Sequence, residues 1–310
     1  MSKYNKYKKA PTLLEQFRSF YYQNKAQDLE SAIKYFSVFG GMSWNVDMQM
    51  PMDKIIEEKV FNNYKYIHSD ITQITQSDKV SHALLTGVAT GDRRVHSALK
   101  KGRISRNDAE YAMETLFDNG LIEAEYSQET PPDEKDKVDD KINFTAPFMR
   151  FWFSCVSPYF KSIRDGDYKE ATQSFLNREQ ELQELIFCKL SAFVIKKSFK
   201  DDAVVESGSY WDRNTSIDIL AKTKSGKVIV GICKYSNAKA KKTELTKLKE
   251  QCEKAELNPD IFVVISKSGF SNELKSMKGD ELKLFSLKNF KILVEDLTQN
   301  DFIECEGKLY

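Results

Sequence analysis

The 310-residue chain is 30% charged and 41% hydrophobic, which is the composition of a globular protein and not of a disordered one. Its 47 Lys and Arg residues balance 46 Asp and Glu residues, so net charge identifies no class of partner. No apolar run approaches the roughly 20 residues that span a bilayer, and no apolar segment follows the basic N-terminus as in a signal peptide. We therefore expect a cytoplasmic protein of two or three domains that has no contact with a membrane.

Two classes of ligand have no motif in this sequence. Neither GxxxxGK[ST] nor GxGxxG occurs, so we expect no nucleotide-binding loop. The cysteines lack CxxC-like spacing, and their odd number suits a reducing compartment, so we expect buried free thiols. The three histidines also lack metal-ligand spacing with the cysteines, which argues against a zinc site. The cysteines are Cys155, Cys188, Cys233, Cys252 and Cys305, and the histidines are His68, His82 and His96.

Residues 1–70 are predicted to form a helical domain. Apolar residues recur at spacings of three and four in two stretches, the second of which stops at Gly40-Gly41. A third helix is expected from Met52 to Tyr64, followed by a turn at residues 66–70. The many aromatic residues in these helices are expected to form a packed core.

Residues 71–146 are predicted to form a winged helix-turn-helix. Residues 79–88 and 92–101 suit its first two helices, and Gly102 breaks the chain after them. A third helix is expected to begin at a capping box made by Ser105 and Asp108.

Two strands would complete the winged helix. Gly120 fits the position that follows the third helix, where a left-handed backbone is usual. Residues 121–126 and 141–144 would then pair as the wing. The loop at residues 129–140 between them is acidic and contains two prolines, so we expect it to be solvated and sensitive to proteases.

The remainder of the chain is predicted to be a helical connector at 147–175 and an α/β domain at 176–310. The connector contains helix-spaced aromatic residues that suit a docking helix. A long helix is expected at 175–199, followed by strands and two shorter helices. The apolar run VIVGIC suggests a buried central strand. The strands are expected at 203–205, 217–222, 228–233, 260–266 and 282–287, and the helices at 241–255 and 271–278.

This order of elements brings Asp218 and Lys234 into one neighbourhood. Nucleases of the PD-(D/E)XK type hold Mg²⁺ with an Asp on one strand and a Glu on the next, and a Lys two residues later orients the attacking water. Residues two apart on a strand face the same side, which explains the E-x-K spacing. Here Lys234 stands where the motif requires a lysine, and Ile232 stands where it requires a glutamate.

The motifs GSYWDRNTSIDILA, VGICKYS and FVVISKSGF occur in this order after PFMRFWF. Together they resemble the C-terminal nuclease-fold domain of archaeal-type P-loop ATPases, a domain of unassigned function. The resemblance covers about residues 78–290 and includes the preceding winged helix. The ATPase module of that family is absent, and a helical segment stands in its place.

The resemblance implies a restriction-endonuclease-like fold and a small set of site residues. Asp218 and Lys234 match the family's motif, and Glu184 would be a helix-borne carboxylate. Asp218 and Glu184 would be the ligands of Mg²⁺ if the site were active. Because Ile232 replaces the family's glutamate, the resemblance implies a degenerate site, and Ile232→Glu would rebuild the ligand. Migration of a carboxylate from Glu206 or Glu244 is an alternative.

A basic cluster in the predicted winged helix is the candidate nucleic-acid surface. Such a cluster can contact phosphates and position a recognition helix. The exposed positions expected on the third helix are mostly acidic, which suits protein contacts instead. The cluster consists of Arg93, Arg94, Lys100, Lys101, Arg103 and Arg106.

Three functions therefore stay open. The leading one is DNA binding or processing on a degenerate nuclease fold. The second is an active Mg²⁺-dependent deoxyribonuclease, a phosphodiesterase, with a migrated carboxylate. The third is a scaffold that binds a protein partner and has no role with nucleic acid.

Overall fold

The computed structural model describes residues 11–128 and 138–303. The chain divides into two compact units, each built from segments that are distant in sequence. The first unit comprises residues 1–125, 139–182 and 297–310, and the second comprises residues 126–138 and 183–296. Within the described ranges, no helix is both long and apolar enough to cross a membrane. The three predicted boundaries between these segments of the chain stay predictions.

Four helices open the first unit, and side-chain caps explain where the first two begin. Thr12 and Glu15 form a capping box, and the carboxylate of Asp28 accepts the N–H of Ser31. The turn predicted at residues 66–70 is wrong, because these residues are helical and place the buried Ile67 one turn before Ile71. The helices are α1 (Leu13–Gln23), α2 (Leu29–Phe39), α3 (Met52–Ile56, continued by a wider turn at Glu57–Phe61) and α4 (Tyr64–Ile74).

Three further helices and a two-stranded hairpin follow in the predicted order. The hydroxyl of Ser105 accepts the N–H of Asp108 at 3.2 Å and donates to the Asp108 carboxylate, so Ser105 is the N-cap of the third helix. Gly120 has a φ of +67°, which confirms the left-handed position predicted after that helix. A single antiparallel bridge joins Arg94 to Lys141 beside the hairpin. The elements are α5 (Lys79–Thr90), α6 (Val95–Gly102), α7 (Arg106–Asp118), β1 (Ile122–Glu125) and β2 (Lys141–Phe144). Most of the predicted acidic loop, at 129–137, lies outside the described residues.

The segment after β2, predicted as a helical connector between domains, is apolar and helical, and residues 147–175 all belong to the first unit. Phe148, Phe151 and Trp152 are each 0% exposed. Buried among them, Arg150 donates to Oε1 of Glu181 at 2.6 Å. The elements here are α8 (Pro147–Phe151, continued by a wider turn at Trp152–Val156), a short 3₁₀ turn at Ser157–Tyr159, α9 (Phe160–Arg164) and the long helix α10 (Lys169–Ser198).

The second unit contains a five-stranded mixed sheet in the order β3-β4-β5-β6-β7. The first three strands pair antiparallel, and the last three pair parallel. Gly226, with a φ of +89°, forms the tight turn between β4 and β5, whereas helices supply the crossovers that parallel strands require. The elements are β3 (Val204–Trp211), β4 (Ser216–Thr223), β5 (Val228–Lys234), α11 (Lys242–Lys254), β6 (Ile261–Ser266), α12 (Asn272–Ser276) and β7 (Leu282–Ser286).

The middle strand of this sheet is β5, which confirms the buried strand predicted from its apolar run. One difference from the prediction lies in β3, which was expected to end at residue 205 and continues to Trp211. Tyr210 and Trp211 are 4% and 1% exposed, and their burial favours a strand. The turn shrinks to four residues, in which Oδ1 of Asp212 accepts the N–H groups of Asn214 and Thr215, each at 2.6 Å.

Candidate functional site

Asp218 lies on β4, next to the middle strand β5 of the sheet. Its Oδ2 accepts the backbone N–H of Cys233 at 2.8 Å. The side chain is exposed, so one end of this carboxylate meets solvent. The hydrogen bond fixes the carboxylate next to Cys233.

Two cysteine thiols surround this carboxylate. The Sγ atoms of Cys188 and Cys233 and a carboxylate oxygen of Asp218 all lie within 4.8 Å of one another. Cys188 comes from α10 and Cys233 from β5, and both are half-buried. The sequence prediction missed this group, because the two cysteines meet only when α10 packs on the sheet. No local spacing signals such a pair.

The Cys233 thiol is held in its neutral form. Burial raises the pKa of Cys233 well above its usual value, and the neighbouring Cys188 thiol and the charge of Asp218 raise it further. The hydroxyl of Ser191, one turn after Cys188 on α10, acts in the opposite direction. In the protein as it stands, Cys233 is therefore a poor nucleophile.

Glu184, the predicted helix-borne carboxylate, is exposed on α10. It stands four residues before Cys188, and residues four apart are neighbours on one side of a helix. The thiol of Cys188, on the same helix as Glu184, lies within 4.8 Å of a carboxylate oxygen of Asp218.

Lys234, the predicted motif lysine, pairs with a different carboxylate. Its Nζ forms a short salt bridge with Oε1 of Glu244, at the start of α11. Glu244 also accepts the N–H of Lys241 at 3.0 Å and the hydroxyl of Thr243 at 2.9 Å. Burial alone would raise the pKa of Glu244, but these hydrogen bonds and the lysine charge hold it below its usual value.

The position of the absent motif glutamate faces a hydrophobic core. Ile232 is 8% exposed and belongs to the apolar cluster that includes Leu245 and Leu248 of α11. Because side chains alternate along a strand, Cys233 points to the opposite side, where the carboxylate of Asp218 also lies. A glutamate at 232 would therefore enter the α11 core, so the expectation that Ile232→Glu rebuilds a ligand beside Asp218 is not met.

The donor atoms around Asp218 do not fit Mg²⁺. Two of the three grouped donors are sulfur atoms, whereas Mg²⁺ is a hard cation that takes oxygen ligands in octahedral geometry. A Mg²⁺ site at Asp218 and Glu184 would place the ion against these two thiols.

Arg93, in the predicted basic cluster, is turned toward the hairpin. Its guanidinium donates to Oε2 of Glu125 at 2.8 Å and makes a short contact with Oδ1 of Asn143. Only 15% of its side chain is exposed. Its neighbour Arg94 lies 3.9 Å from the carboxylate of Asp92 and is 30% exposed.

The other end of the predicted cluster points to solvent. Lys100, Arg103 and Arg106 are exposed and surround the turn between α6 and α7. None of these three has an ion pair within the part of the chain that the structure describes. Lys101 is also exposed, but its Nζ donates to the carbonyl of Thr90 at 2.8 Å. We call Lys100, Arg103 and Arg106 the α6–α7 basic face.

The charge on the exposed side of α7 changes from positive to negative along the helix. Its first residue is Arg106, but Glu110 and Glu114 occupy the following turns. Tyr111, between them, is 70% exposed. Positive charge is thus confined to the N-terminal turn of α7, where the helix dipole also favours an anion.

One comparison with known proteins gives a match. Residues 152–246 are similar to the family DUF234, described as archaeal and bacterial proteins of unknown function. The matched range contains Cys188, Asp218, Cys233 and Lys234, and it covers less than half of the chain. Searches of curated proteins and of solved structures found no match. The chain therefore carries a region similar to this family, from the start of the connector's wide turn into α11.

Proposed function

We propose that the protein binds DNA through the α6–α7 basic face and that its second unit is a nuclease-like domain without cleavage activity. The observation that carries the proposal is the group of exposed cations at Lys100, Arg103 and Arg106, which have no ion pair among the described residues. Cations left without protein partners beside a helix N-terminus suit phosphate oxygens.

A winged-helix assignment of residues 79–144 supports this proposal. Three helices precede a two-stranded hairpin, and one isolated bridge joins Arg94, between α5 and α6, to Lys141 of the hairpin. In helix-turn-helix proteins the second helix of the motif enters the major groove with its N-terminal residues foremost. Here α7 would enter with Arg106, and the two other cations would flank it.

The charge of α7 favours contacts with the backbone of DNA over reading of its bases. Beyond the first turn, Glu110 and Glu114 would meet phosphates with repulsion if the helix lay deep in a groove. Contacts limited to the phosphates carry little sequence information. We therefore propose binding that is strongly dependent on salt and weakly dependent on sequence.

The order of elements in the second unit supports a nuclease-like domain. A long helix, three antiparallel strands, a helix and a parallel strand follow one another, as the resemblance to the archaeal ATPase C-terminal domain implies. The DUF234 match falls in the same part of the chain. The thiols beside Asp218 and the apolar setting of Ile232 both argue against Mg²⁺-dependent cleavage.

A second candidate, an active nuclease, has one observation in its favour. Glu244 was an alternative source of the missing carboxylate, and its side chain pairs with Lys234, the lysine of the motif. Under this hypothesis, Glu244 at the start of α11 supplies the carboxylate that the strand lacks at position 232. The third candidate, a protein-binding scaffold, would use the same three-helix segment without DNA.

A binding measurement with matched variants tests the proposal. Lys100→Gln, Arg103→Gln and Arg106→Gln are combined in one variant, and affinity for a fluorescent DNA duplex is measured by anisotropy. The control combines Lys65→Gln, Lys161→Gln and Lys169→Gln, which removes the same charge from exposed positions elsewhere in the first unit. We expect the first variant to lose affinity by tenfold or more on several unrelated duplexes and the control to bind as the unmodified protein does.

The outcomes separate the candidates. No binding by the unmodified protein would reject the DNA proposal and leave the scaffold. Equal losses of affinity in both variants would show that the α6–α7 basic face is not the DNA-binding surface. Incubation of labelled duplex with Mg²⁺ tests the second candidate. Cleavage that Glu244→Gln and Asp218→Asn each abolish would establish the active nuclease in place of the degenerate one.

A further inference from the structure

We propose that Cys188, Cys233 and Asp218 form a binding site for a thiophilic divalent cation of the zinc class. The site lies on the α10 side of the sheet and is independent of the DNA proposal. Its basis is the grouping of two sulfur donors and one carboxylate oxygen within 4.8 Å.

The spacing of the donors suits tetrahedral zinc. Zinc binds thiolate sulfur at about 2.3 Å and carboxylate oxygen at about 2.0–2.2 Å, so donors around one ion stand roughly 3.5–3.8 Å apart. The observed limit of 4.8 Å exceeds the widest of these separations by about an ångström. The donors are therefore arranged almost as the ion requires.

The chemistry of the donors selects the kind of metal. Thiolates favour zinc and similar soft or borderline ions over Mg²⁺ and Ca²⁺, which prefer oxygen. Two thiolates and one carboxylate supply three protein ligands and leave a fourth position for water. This is the pattern of zinc sites that act on a substrate, whereas structural sites have four protein ligands.

The three ligands stand on regular elements. Cys188 belongs to the 30-residue helix α10, and Asp218 and Cys233 belong to paired strands of the sheet. The N–H of Cys233 holds Oδ2 of Asp218 at 2.8 Å, which fixes the orientation of the carboxylate. Ligands on helices and strands keep their geometry better than ligands on loops do.

The ion has a route from solvent to the ligands, and further polar groups lie near them. Asp218 is exposed, so an ion can reach the thiols from its side. Ser191 is 0% exposed, and its hydroxyl donates to the carbonyl of Phe187 at 2.8 Å, on the turn of α10 that carries Cys188. Glu184 stands one turn before Cys188 on α10 and is not among the three grouped donors. Binding of the ion replaces the two thiol protons, which pass to solvent.

Cobalt(II) is the probe that tests this site. The full-length protein is reduced, stripped of metal with a chelator and titrated with Co²⁺ alone under oxygen-free conditions. We expect a sulfur-to-cobalt charge-transfer band that saturates at one equivalent, together with the visible bands of tetrahedral cobalt. One equivalent of Zn²⁺ should remove both, because zinc binds such sites more tightly.

Three variants locate the ion. Cys188→Ser and Cys233→Ser should each lower the charge-transfer intensity and weaken Co²⁺ affinity by more than roughly tenfold. Asp218→Asn should keep the sulfur band but weaken affinity by about 10–100-fold. Because Asp218 is exposed, this variant tests the site even if a cysteine variant fails to fold. The control is Cys252→Ser on α11, whose buried thiol packs in the apolar cluster with Leu245 and Leu248.

Three results would overturn the proposal. One is a protein that shows no sulfur-to-cobalt band with all four described cysteines reduced. Another is a band that persists at full strength in both Cys188→Ser and Cys233→Ser, since the ion would then use other sulfurs. An unchanged affinity in Asp218→Asn would likewise remove the carboxylate from the site.

Discussion

The carboxylate of Asp218 accepts the backbone N–H of Cys233 at 2.8 Å. This contact joins β4 to the middle strand at the residue between Ile232 and Lys234. Asp218 therefore lies on the same side of the sheet as Cys233, while Ile232 packs toward α11 on the other side. A carboxylate introduced at 232 and one present at 218 would stand on different sides of the sheet.

Ile232→Glu should therefore destabilise the protein and should not create nuclease activity. Ile232 is 8% exposed within an apolar cluster, and an unpaired carboxylate there costs roughly 3 kcal/mol or more. Urea unfolding measures the loss, with Ile232→Val as the control at about 1 kcal/mol. A stable Ile232→Glu protein that gains Mg²⁺-dependent nicking would instead place the motif's two carboxylates at one site.

The connector contains a buried charge that depends on one carboxylate. Arg150 has 8% of its side chain exposed and donates to Glu181 at 2.6 Å. Glu181→Gln should lower the free energy of unfolding by about 1–3 kcal/mol, because the guanidinium loses its charged partner. Glu179→Gln is the matched control on the same helix, since the pair with Lys34 is more exposed and should cost under about 1 kcal/mol. Equal losses in thermal or urea unfolding would refute the difference.

The lowered pKa of Lys141 predicts that the free energy of unfolding changes with pH above about pH 8. Burial and, to a lesser extent, the charge of Arg93 lower its pKa to about 8, while Glu125 opposes the change. An unfolded lysine titrates near about 10.4, so between these values the folded chain binds fewer protons than the unfolded chain does. Stability should therefore rise with pH through this window, and no such rise should come from Lys141 below about pH 8.

The matched variant for this effect is Lys141→Met. It removes the buried ammonium and keeps the apolar stem, so we expect it to be more stable than the unmodified protein at pH 7. Its advantage should shrink as pH rises from about 8 to 10 in urea unfolding at constant ionic strength. A constant difference across that range would show that Lys141 titrates at its ordinary pKa.

Substitutions at Arg93 and Lys100 should affect different properties, stability for Arg93 and DNA affinity for Lys100. Arg93 is paired with Glu125 and is 15% exposed, so Arg93→Gln should lower stability by about 1–3 kcal/mol and leave DNA affinity nearly unchanged. Lys100→Gln should do the reverse, because Lys100 is exposed and has no ion pair among the described residues. Unfolding and anisotropy are measured on both variants, and a loss of affinity in Arg93→Gln at full stability would return Arg93 to the DNA-binding surface.

Local signals explain what could be predicted from the sequence. The cap at Ser105 and the glycine at 120 act within a few residues, so the places where α7 begins and ends could be predicted. The apolar run of β5 also marks burial without knowledge of the partners. The turn expected at 66–70 was wrong because polar residues there occupy only the exposed side of α4, while Ile67 and Ile71 face the core.

Contacts between distant segments explain what could not be predicted. Cys188 and Cys233 meet across a helix and a strand, and neither has neighbours that suggest a pair. Arg93 looked like part of a basic cluster, but its partner Glu125 lies on another element. The carboxylate of Glu244 was a candidate replacement for the motif's glutamate, yet only the structure reveals its salt bridge with Lys234.

The dependence of DNA affinity on salt tests the central claim most directly. For duplex DNA, the logarithm of the association constant falls against the logarithm of salt concentration with a slope of about 0.9 per phosphate contact. If Lys100, Arg103 and Arg106 each contact a phosphate, the triple glutamine variant should show a slope smaller by up to about 2.7 than the unmodified protein does. The same slope in both proteins would contradict the account, because the α6–α7 basic face would then make no phosphate contacts.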